Sequence, residues 1–155
     1  MALRSGSKID LLRRVPLFEH CSKKDLALIA GVADELDLPA GSVLIQGGDR
    51  GREFLVIVSG DVEVRRKGRK RGTLGAGNFV GEMALLSKQP RSATVTALTA
   101  LVVLVITDRH FIALLDKTPE LWLKVARALA ERANADDLSD QGAAAHGRPE
   151  PTPAR

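Results

Sequence analysis

Glu82 and Arg91 are the two charged side chains that stand out in a glycine-rich stretch near the middle of the chain. A short helical segment is predicted over residues 81–87, beginning at Gly81. Glycine lets the backbone approach a ligand closely because it has no Cβ. The first N–H groups of a helix have no acceptor within it and favour a negative charge. Arg91 adds a planar, permanently charged guanidinium that suits phosphate oxygens. Together these residues predict a site for a small anion.

The carboxylate of Glu82 needs a separate explanation, since it would repel a phosphate placed beside it. A ribose hydroxyl on the same ligand is the natural partner, as for the acidic residue of dinucleotide sites. One anion and one sugar hydroxyl together indicate a nucleotide. Each residue alone has a plain structural interpretation: Glu82 as a favourable helix N-terminal charge, Arg91 as a surface ion-pair member and Gly81 as a turn residue. Only the joint pattern favours binding.

Two segments carry a resemblance to a known family. Residues 81–86 read GEMALL and residues 90–95 read PRSATV. At this spacing they resemble the phosphate-binding cassette of cyclic-nucleotide-binding domains. Such domains occur in catabolite-activator-type regulators, protein kinase A regulatory subunits and cyclic-nucleotide-gated channels. The resemblance extends over residues 17–137, which follow the family's order of helical lead-in, β-roll, cassette and two closing helices.

The resemblance implies a role for each residue of the cassette. Glu82 would bind the ribose 2′-hydroxyl, Arg91 would pair with the cyclic phosphate, and the backbone N–H groups near Met83 and Ala84 would also meet the phosphate. Ser92 would lie beside phosphate and base. Its type is intermediate between the Thr that accompanies guanine selectivity and the Ala that accompanies adenine, so Ser92 does not decide the base. The expected ligand is cAMP, with cGMP as the alternative. The implied set comprises the ligand-binding residues Gly81, Glu82, Met83, Ala84, Arg91 and Ser92 and the hydrophobic hinge Leu85.

The remaining pattern predicts a mostly β (α+β) fold. Ser22 and Asp25 resemble a capping box, and apolar residues at helical spacing extend the predicted helix over residues 22–35. Short strands separated by glycine turns follow, and two more strands are predicted over 93–98 and 101–106. We therefore expect a double-stranded β-helix jelly roll, that is a β-roll of about eight strands, with an N-terminal helix and two C-terminal helices.

The two closing helices have clear start signals. Asp108 is the predicted N-cap of a helix that runs through Leu115, and Thr118 with Pro119 predicts the start of the next. The apolar stripe of this last helix, which is expected to fade near Asn134, suggests a homodimer through residues 119–134 as a hypothesis. The stripe consists of Trp122, Val125, Ala126 and Leu129 and is expected to pack on the roll or on a partner helix, and the dimer contact would use Trp122, Val125 and Leu129.

The composition fits one globular domain with tails: 155 residues, 45% hydrophobic and 27% charged. We divide the chain into an N-terminal extension (1–14), the domain (15–138) and a Gly-, Ala- and Pro-rich tail (139–155) that is expected to be disordered. The single cysteine, Cys21, cannot form an internal disulfide. No segment resembles a signal peptide or a membrane helix, so a cytoplasmic protein without membrane association is expected.

A basic stretch at residues 65–71, with the sequence RRKGRKR, is predicted to form a hairpin tip with Gly68 at the turn. Contact with nucleic acid or an anionic surface is one interpretation. The favoured one is a solvated turn that protects a sheet edge, since basic edges resist strand pairing. The net charge of +4 does not decide between them. Nucleic acid is therefore not expected as a partner, and the role of the stretch stays open.

No pattern typical of catalysis was found. The histidines, His20, His110 and His146, are scattered, Cys21 has no evident activating partner, and there is neither a nucleophile elbow nor a Gly-Lys-Ser/Thr phosphate loop. We expect no enzymatic activity, no metal and no cofactor apart from the nucleotide ligand. The leading hypothesis is a sensor whose C-terminal helices move on binding and contact an effector protein. The alternatives are a scaffold or oligomerisation module that no longer binds nucleotide, and a fragment of a cAMP-responsive transcription regulator.

Overall fold

The computed structural model describes residues 5–86 and 90–136, which form four α-helices, two 3₁₀ turns and eight β-strands. The helices are α1 (Ser5–Leu12), α2 (Lys23–Ala30), α3 (Asp108–Lys117) and α4 (Pro119–Asp136), and the 3₁₀ turns are Pro16–Phe18 and Glu82–Leu85. The strands are β1 (Asp34–Leu38), β2 (Val43–Ile45), β3 (Glu53–Ser59), β4 (Val62–Arg66), β5 (Arg69–Leu74), β6 (Phe79–Val80), β7 (Thr94–Ala97) and β8 (Leu101–Thr107).

The strands form two four-stranded antiparallel sheets, in the orders β1-β8-β3-β6 and β2-β7-β4-β5. One hydrophobic cluster joins the two sheets, with Ile57 and Val103 from the first and Val62 and Val95 from the second. This arrangement confirms the predicted β-roll of eight strands with two C-terminal helices. On the N-terminal side the structure has two α-helices instead of one.

The continuous apolar runs of β3 and β8 follow from their central positions, because both faces of these strands are covered. In β8, Val103 lies in the cluster between the sheets, whereas Leu104 lies in a second cluster shared with the helices. Phe54 of β3 belongs to this second cluster and packs edge-on against Phe18 at 6.1 Å between ring centroids. Phe18 also contacts Phe111 of α3 at 5.8 Å. The lead-in, the first sheet and the closing helices therefore share one core.

The N-terminal segment contributes to this core. Ile9 and Leu12 of α1, which we had assigned to an extension, are buried in the helical cluster. The capping box of α2 is confirmed: the Asp25 N–H donates to the Ser22 hydroxyl at 3.1 Å, and the Ser22 N–H donates to the Asp25 carboxylate at 2.8 Å. The predicted C-terminal extent of the helix was wrong, since α2 ends at Ala30.

The cause of this early end is tertiary pairing. Gly31 terminates α2, and residues 34–38 form β1, which pairs antiparallel with β8 in the register Asp34↔Val105. Strand pairing with a buried neighbour outweighs the helical spacing that the sequence shows locally. A smaller correction applies to α3, whose N-cap is Thr107 and not Asp108. The Thr107 hydroxyl accepts from the His110 N–H at 3.3 Å.

The last helix presents a different face to the core from the one predicted. Leu121, Val125 and Ala128 are buried, whereas Trp122 is 43% exposed. Val125 is therefore unavailable for the dimer contact that the sequence suggested, because its side chain already lies in the core of its own chain. The predicted tail at 139–155 lies outside the described residues. Within the described part of the chain, no helix is both long enough and apolar enough to cross a membrane.

Candidate functional site

The backbone of Arg91 is held by the loop that precedes β3. Its N–H donates to the carbonyl of Asp49 at 2.7 Å, and its own carbonyl accepts from the Gly48 N–H at 2.8 Å. Three residues further on, the hydroxyl of Thr94, the first residue of β7, accepts from the Gly47 N–H at 2.9 Å. This ladder joins two segments that are more than forty residues apart in sequence. It fixes the position from which the Arg91 side chain departs.

Two glycines make room for the Arg91 guanidinium. A Cβ added at Gly51 would lie 2.7 Å from its Nε, and a Cβ added at Gly81 would lie 2.4 Å from its Nη1. Gly81 also has a φ of +79°, a left-handed conformation that residues with a Cβ adopt only at a cost. The Nη2 group donates to the carbonyl of Glu53 at 2.5 Å. The side chain is therefore oriented by packing and by one hydrogen bond before any ligand arrives.

Burial lowers the pKa of Arg91 from its usual value, and the nearby Glu53 carboxylate partly offsets this effect. The group still remains protonated, because an arginine does not lose its proton in proteins. Among the residues that the structure describes, Arg91 forms no ion pair with a carboxylate. A half-buried cation of this kind is stabilised by an anion that binds beside it.

A cavity of about 190 Å³ lies beside this guanidinium. Its lining includes Arg91 but not Glu82, which is buried with 2% of its surface exposed. The wall combines an apolar strand with polar and charged groups, which suits a ligand that carries both kinds of surface. The lining residues are Val43, Leu44, Ile45, Gln46, Asp49, Arg50, Glu53 and Arg91.

The helical turn predicted after Gly81 is present as the 3₁₀ turn Glu82–Leu85. The Ala84 N–H donates to the Gly81 carbonyl at 2.9 Å, so it is engaged within the turn and not free for a phosphate as expected. Such an i→i+3 bond is what a 3₁₀ turn forms. Met83 lies in the same turn, and Ser92 is exposed directly after Arg91. The structure thus brings Gly81 against Arg91 and places Ser92 at the surface.

The family model described as "Cyclic nucleotide-binding domain" matches residues 35–118, which include the roll, the 3₁₀ turn and Arg91. The chain belongs to the cyclic nucleotide-binding domain family. It is 35% identical over 154 residues to the cAMP-dependent protein kinase regulatory subunit of Mycosarcoma maydis, covering 88% of this chain and 29% of that protein. The chain spans between 29% and 40% of the length of the first curated relatives that it matches.

Solved structures show the same similarity. The N-terminal domain of a transcriptional regulator from Streptomyces coelicolor A3(2) superposes with a TM-score of 0.75 at 31% identity, over 86% of this chain and 99% of that one. The regulatory domain of Toxoplasma gondii PKA, in a co-crystal structure with cAMP, gives a TM-score of 0.63 at 30% identity, over 71% of this chain and 44% of that one.

Leu85 connects this cyclic nucleotide-binding domain's 3₁₀ turn to its closing helices. Its side chain is 1% exposed and lies in the same cluster as Phe111 and Leu115 of α3 and Leu121 and Val125 of α4. Interiors of this kind are closely packed, so a shift of one member is felt by its neighbours. Leu85 therefore shares a packed core with both closing helices.

Polar contacts also fasten α4 to the N-terminal segment. Lys124 donates to the Asp25 carboxylate at 2.5 Å. Burial opposes ionisation of Asp25, but the hydrogen bonds from Lys124 and from Ser22 outweigh it, so its pKa lies below the usual value. Burial and then the Asp25 charge raise the pKa of Cys21 to about 11, so this thiol is not a reactive nucleophile at neutral pH.

A second polar contact lies further along α4. The His20 Nε2 atom lies 2.7 Å from an oxygen of Glu131, and this hydrogen bond lowers the pKa of Glu131. His20, Glu19 and Glu131 form the one group of potential metal ligands found among the described residues. The hydrogen bond between His20 and Glu131 already accounts for their proximity. We assign this group to the attachment of α4.

Sequence reasoning missed the contribution of the loop before β3. The glycine turns of the predicted roll include residues 47–51, to which the sequence gave no role in binding, whereas Asp49 holds the Arg91 backbone, Gly51 accommodates its side chain, and Glu53 orients it. The density of glycines was the available signal. It could not be assigned to Arg91 because the two segments meet only after the roll has folded.

Proposed function

We propose that this domain binds a cyclic nucleotide as a regulatory sensor and that its ligand is cAMP. The observation that carries the proposal is the half-buried, pre-oriented guanidinium of Arg91, which lies between two glycines beside a cavity. A cyclic phosphate has one negative charge and two free oxygens, which match the two-pronged donor of an arginine. In this proposal Arg91 pairs with the phosphate and Gly81 allows its close approach.

The remaining cassette residues complete the proposed site. Glu82 binds the ribose 2′-hydroxyl, the backbone near Met83 and Ala84 adjusts to meet the phosphate, and Ser92 lies between phosphate and base. The Ala84 N–H must leave its bond with the Gly81 carbonyl if it is to donate to the ligand. Ligand binding would then open the 3₁₀ turn, which gives the turn two states with different affinity for the nucleotide.

The preference for adenine rests on the relatives and on Ser92. Both the Mycosarcoma maydis kinase subunit and the Toxoplasma gondii complex are described with cAMP. Ser92 provides a hydroxyl without the extra methyl of threonine, so cGMP remains the alternative ligand. We propose no enzymatic activity, no metal and no cofactor beyond this ligand, and a cytoplasmic location.

The output of the sensor would pass from the 3₁₀ turn through Leu85 to α3 and α4, which then contact an effector protein. Trp122 and Leu123 are exposed on α4, at 43% and 67%, and offer an apolar contact surface. A homodimer through residues 119–134 stays a prediction, with Trp122 available for it and Val125 excluded. The sequence similarity to kinase subunits and to a regulator's N-terminal domain leaves the kind of effector open.

The assignment of Glu82 to the ribose can be tested by removing the 2′-hydroxyl from the ligand and the carboxylate from the protein in turn. We expect 2′-deoxy-cAMP to bind the wild type about tenfold more weakly than cAMP, since a hydrogen bond to a charged group contributes about 1.5–3 kcal/mol. In Glu82→Gln the difference between the two ligands should shrink, because the carboxylate no longer discriminates. Isothermal titration calorimetry measures all four affinities. An undiminished difference in the variant would exclude Glu82 as the ribose ligand.

Gly51→Ala should weaken cAMP binding without removing any charge. The new Cβ would lie 2.7–3.0 Å from the Nε, Cζ and Cδ atoms of Arg91, so the guanidinium must shift. We expect an affinity loss of about tenfold, since misplaced polar groups lose most of a charge-assisted bond. Gly6→Ala is the control for the glycine-to-alanine change itself: Gly6 is exposed in α1, its φ is not positive, and nothing lies within 4 Å of its added Cβ. Equal losses in both variants would point to a general effect of the change and not to contact with Arg91.

A further inference from the structure

The β4–β5 hairpin concentrates positive charge that the nucleotide site does not use. Six of the chain's 23 basic side chains lie in residues 65–71, and this stretch contains no acidic residue. The chain has 19 acidic side chains in total, so it would be net acidic without this hairpin. The charge of +4 is therefore a local property of one strand pair and not of the whole surface.

The hairpin carries this charge at a cost to its own stability. Lys67 and Gly68 both have positive φ, at 55° and 78°, as a two-residue hairpin turn of the common twisted type requires. The resulting register places Arg65 opposite Lys70 and Arg66 opposite Arg69. Like charges directly across an antiparallel pair are destabilising. A single acidic side chain, Glu63, relieves Arg65 at 2.7 Å in the described part of the chain.

Two further donors of the hairpin lack an acceptor. The Nε atoms of Arg66 and Arg71 are shielded from solvent, and neither meets a hydrogen-bond partner among the described residues. A shielded donor without an acceptor is unfavourable, so such groups usually have a partner. Each strand of the hairpin therefore carries one shielded Nε donor that is available to an acceptor from a partner.

The strand β5 also has an open edge. It is the outermost strand of the sheet β2-β7-β4-β5, so one side of its backbone pairs with no other described strand. Its first three residues, Arg69, Lys70 and Arg71, would repel the same strand of a second copy. The same charges would attract an extended chain of opposite charge, since main-chain bonds provide strand addition and side chains provide selectivity.

We propose that β5 is a docking edge for an extended acidic peptide segment of a partner protein. The segment adds as a strand along Arg69–Leu74 and places its carboxylates against the arginines of the hairpin. A strand of this length spans about 20 Å, which a short peptide matches. The hairpin has no aromatic side chain on which bases could stack, which favours a peptide over a single-stranded nucleic acid.

The test uses a fluorescein-labelled peptide that alternates Glu and Val, with fluorescence anisotropy at low salt. We expect wild type to bind it and the Arg69→Glu/Arg71→Glu variant to bind at least about tenfold more weakly. The same peptide with a central proline, which cannot continue a strand ladder, should bind wild type more weakly by a similar factor. Lys23→Glu/Arg109→Glu is the matched control, because it makes the same charge change at two exposed helix-start positions.

Several outcomes would overturn the proposal. The first is no binding of the alternating peptide by wild type, and the second is equal binding of the proline peptide, which would indicate charge attraction without strand addition. An equal loss in the control variant would indicate a general charge effect. Tighter binding of single-stranded DNA or of phosphatidylserine vesicles would assign the hairpin to those partners. If circular dichroism shows that the double glutamate variant is unfolded, Arg69→Gln/Arg71→Gln replaces it and should show a smaller loss.

Discussion

Arg91→Ala should weaken cAMP binding by a factor of about ten to a hundred. The substitution removes the charge-assisted hydrogen bonds to the phosphate, worth about 1.5–3 kcal/mol each, and each 1.4 kcal/mol corresponds to about tenfold in affinity. The fold should survive, because the guanidinium bonds one carbonyl, that of Glu53, and contacts two glycines. Isothermal titration calorimetry gives the affinity, and a thermal melt of the variant without ligand checks the fold.

Arg52→Ala is the matched control for this prediction. The substitution removes the same charge as Arg91→Ala, but from an exposed side chain of the loop that holds Arg91. Arg52 does not line the cavity. We expect its effect on cAMP affinity to stay below about threefold, since exposed charges contribute little through water. Comparable losses in Arg52→Ala and Arg91→Ala would mean that the nucleotide senses only the general field of the loop. That result would remove Arg91 from the site.

Leu85→Ala should have the largest effect on stability and should also uncouple the helices. Truncating a fully buried leucine costs about 2–5 kcal/mol in the free energy of unfolding, and the side chain is 1% exposed. A domain of this size should lose roughly 5–15 °C in melting temperature. Trp122 is the single tryptophan and lies on α4, so its fluorescence reports on that helix. The cAMP-induced change in emission should decrease in the variant.

Leu85→Met separates the two effects of this position. Methionine nearly conserves the side-chain volume, so stability should change by less than about 1.5 kcal/mol and the fluorescence response should persist. Leu98→Ala controls for the loss of an exposed leucine in a loop next to the sheet and should be neutral for both readouts. A full cAMP-induced Trp122 response in a folded Leu85→Ala protein would contradict the role of Leu85 as the connection to α4.

The sequence predicts the parts of the fold that depend on local chemistry. The capping box at Ser22 is such a case, since its signal is contained within four residues. The hairpin turn at Gly68 is another, because only a few residue types accept the required backbone angles. The continuous apolar run of β8 correctly indicates a strand that is buried on both faces. In each of these cases the neighbouring residues determine the outcome.

Predictions failed where distant segments compete with local preference. Helical spacing continues past Gly31 as far as Ala33, yet pairing with β8 makes residues 34–38 a strand. The buried face of α4 is rotated away from Trp122 because Leu121, Val125 and Ala128 meet the core together. A spacing pattern shows that a helix is amphipathic but leaves the exact centre of its apolar face to its packing partners.

The candidate site likewise combines residues that could be identified from a local motif with residues that reach it from a distant segment. The resemblance identified Gly81 and Arg91, and the structure brings these two together. The resemblance gave no information about Gly51, Asp49 or Glu53, which position the Arg91 guanidinium from a loop about forty residues earlier. These contacts exist only once the loop before β3 lies against the start of β7.

Titration of cAMP into the wild-type domain is the measurement that tests the central claim most directly. Calorimetry should show saturable binding at one site per chain, cGMP should bind more weakly, and linear 5′-AMP should give little heat. A hundredfold excess of cAMP over its dissociation constant should stabilise the fold by about 2.7 kcal/mol, which a thermal melt detects independently. No heat with either cyclic nucleotide, together with an unchanged melting temperature, would contradict the account and leave the domain as a scaffold that has lost its ligand.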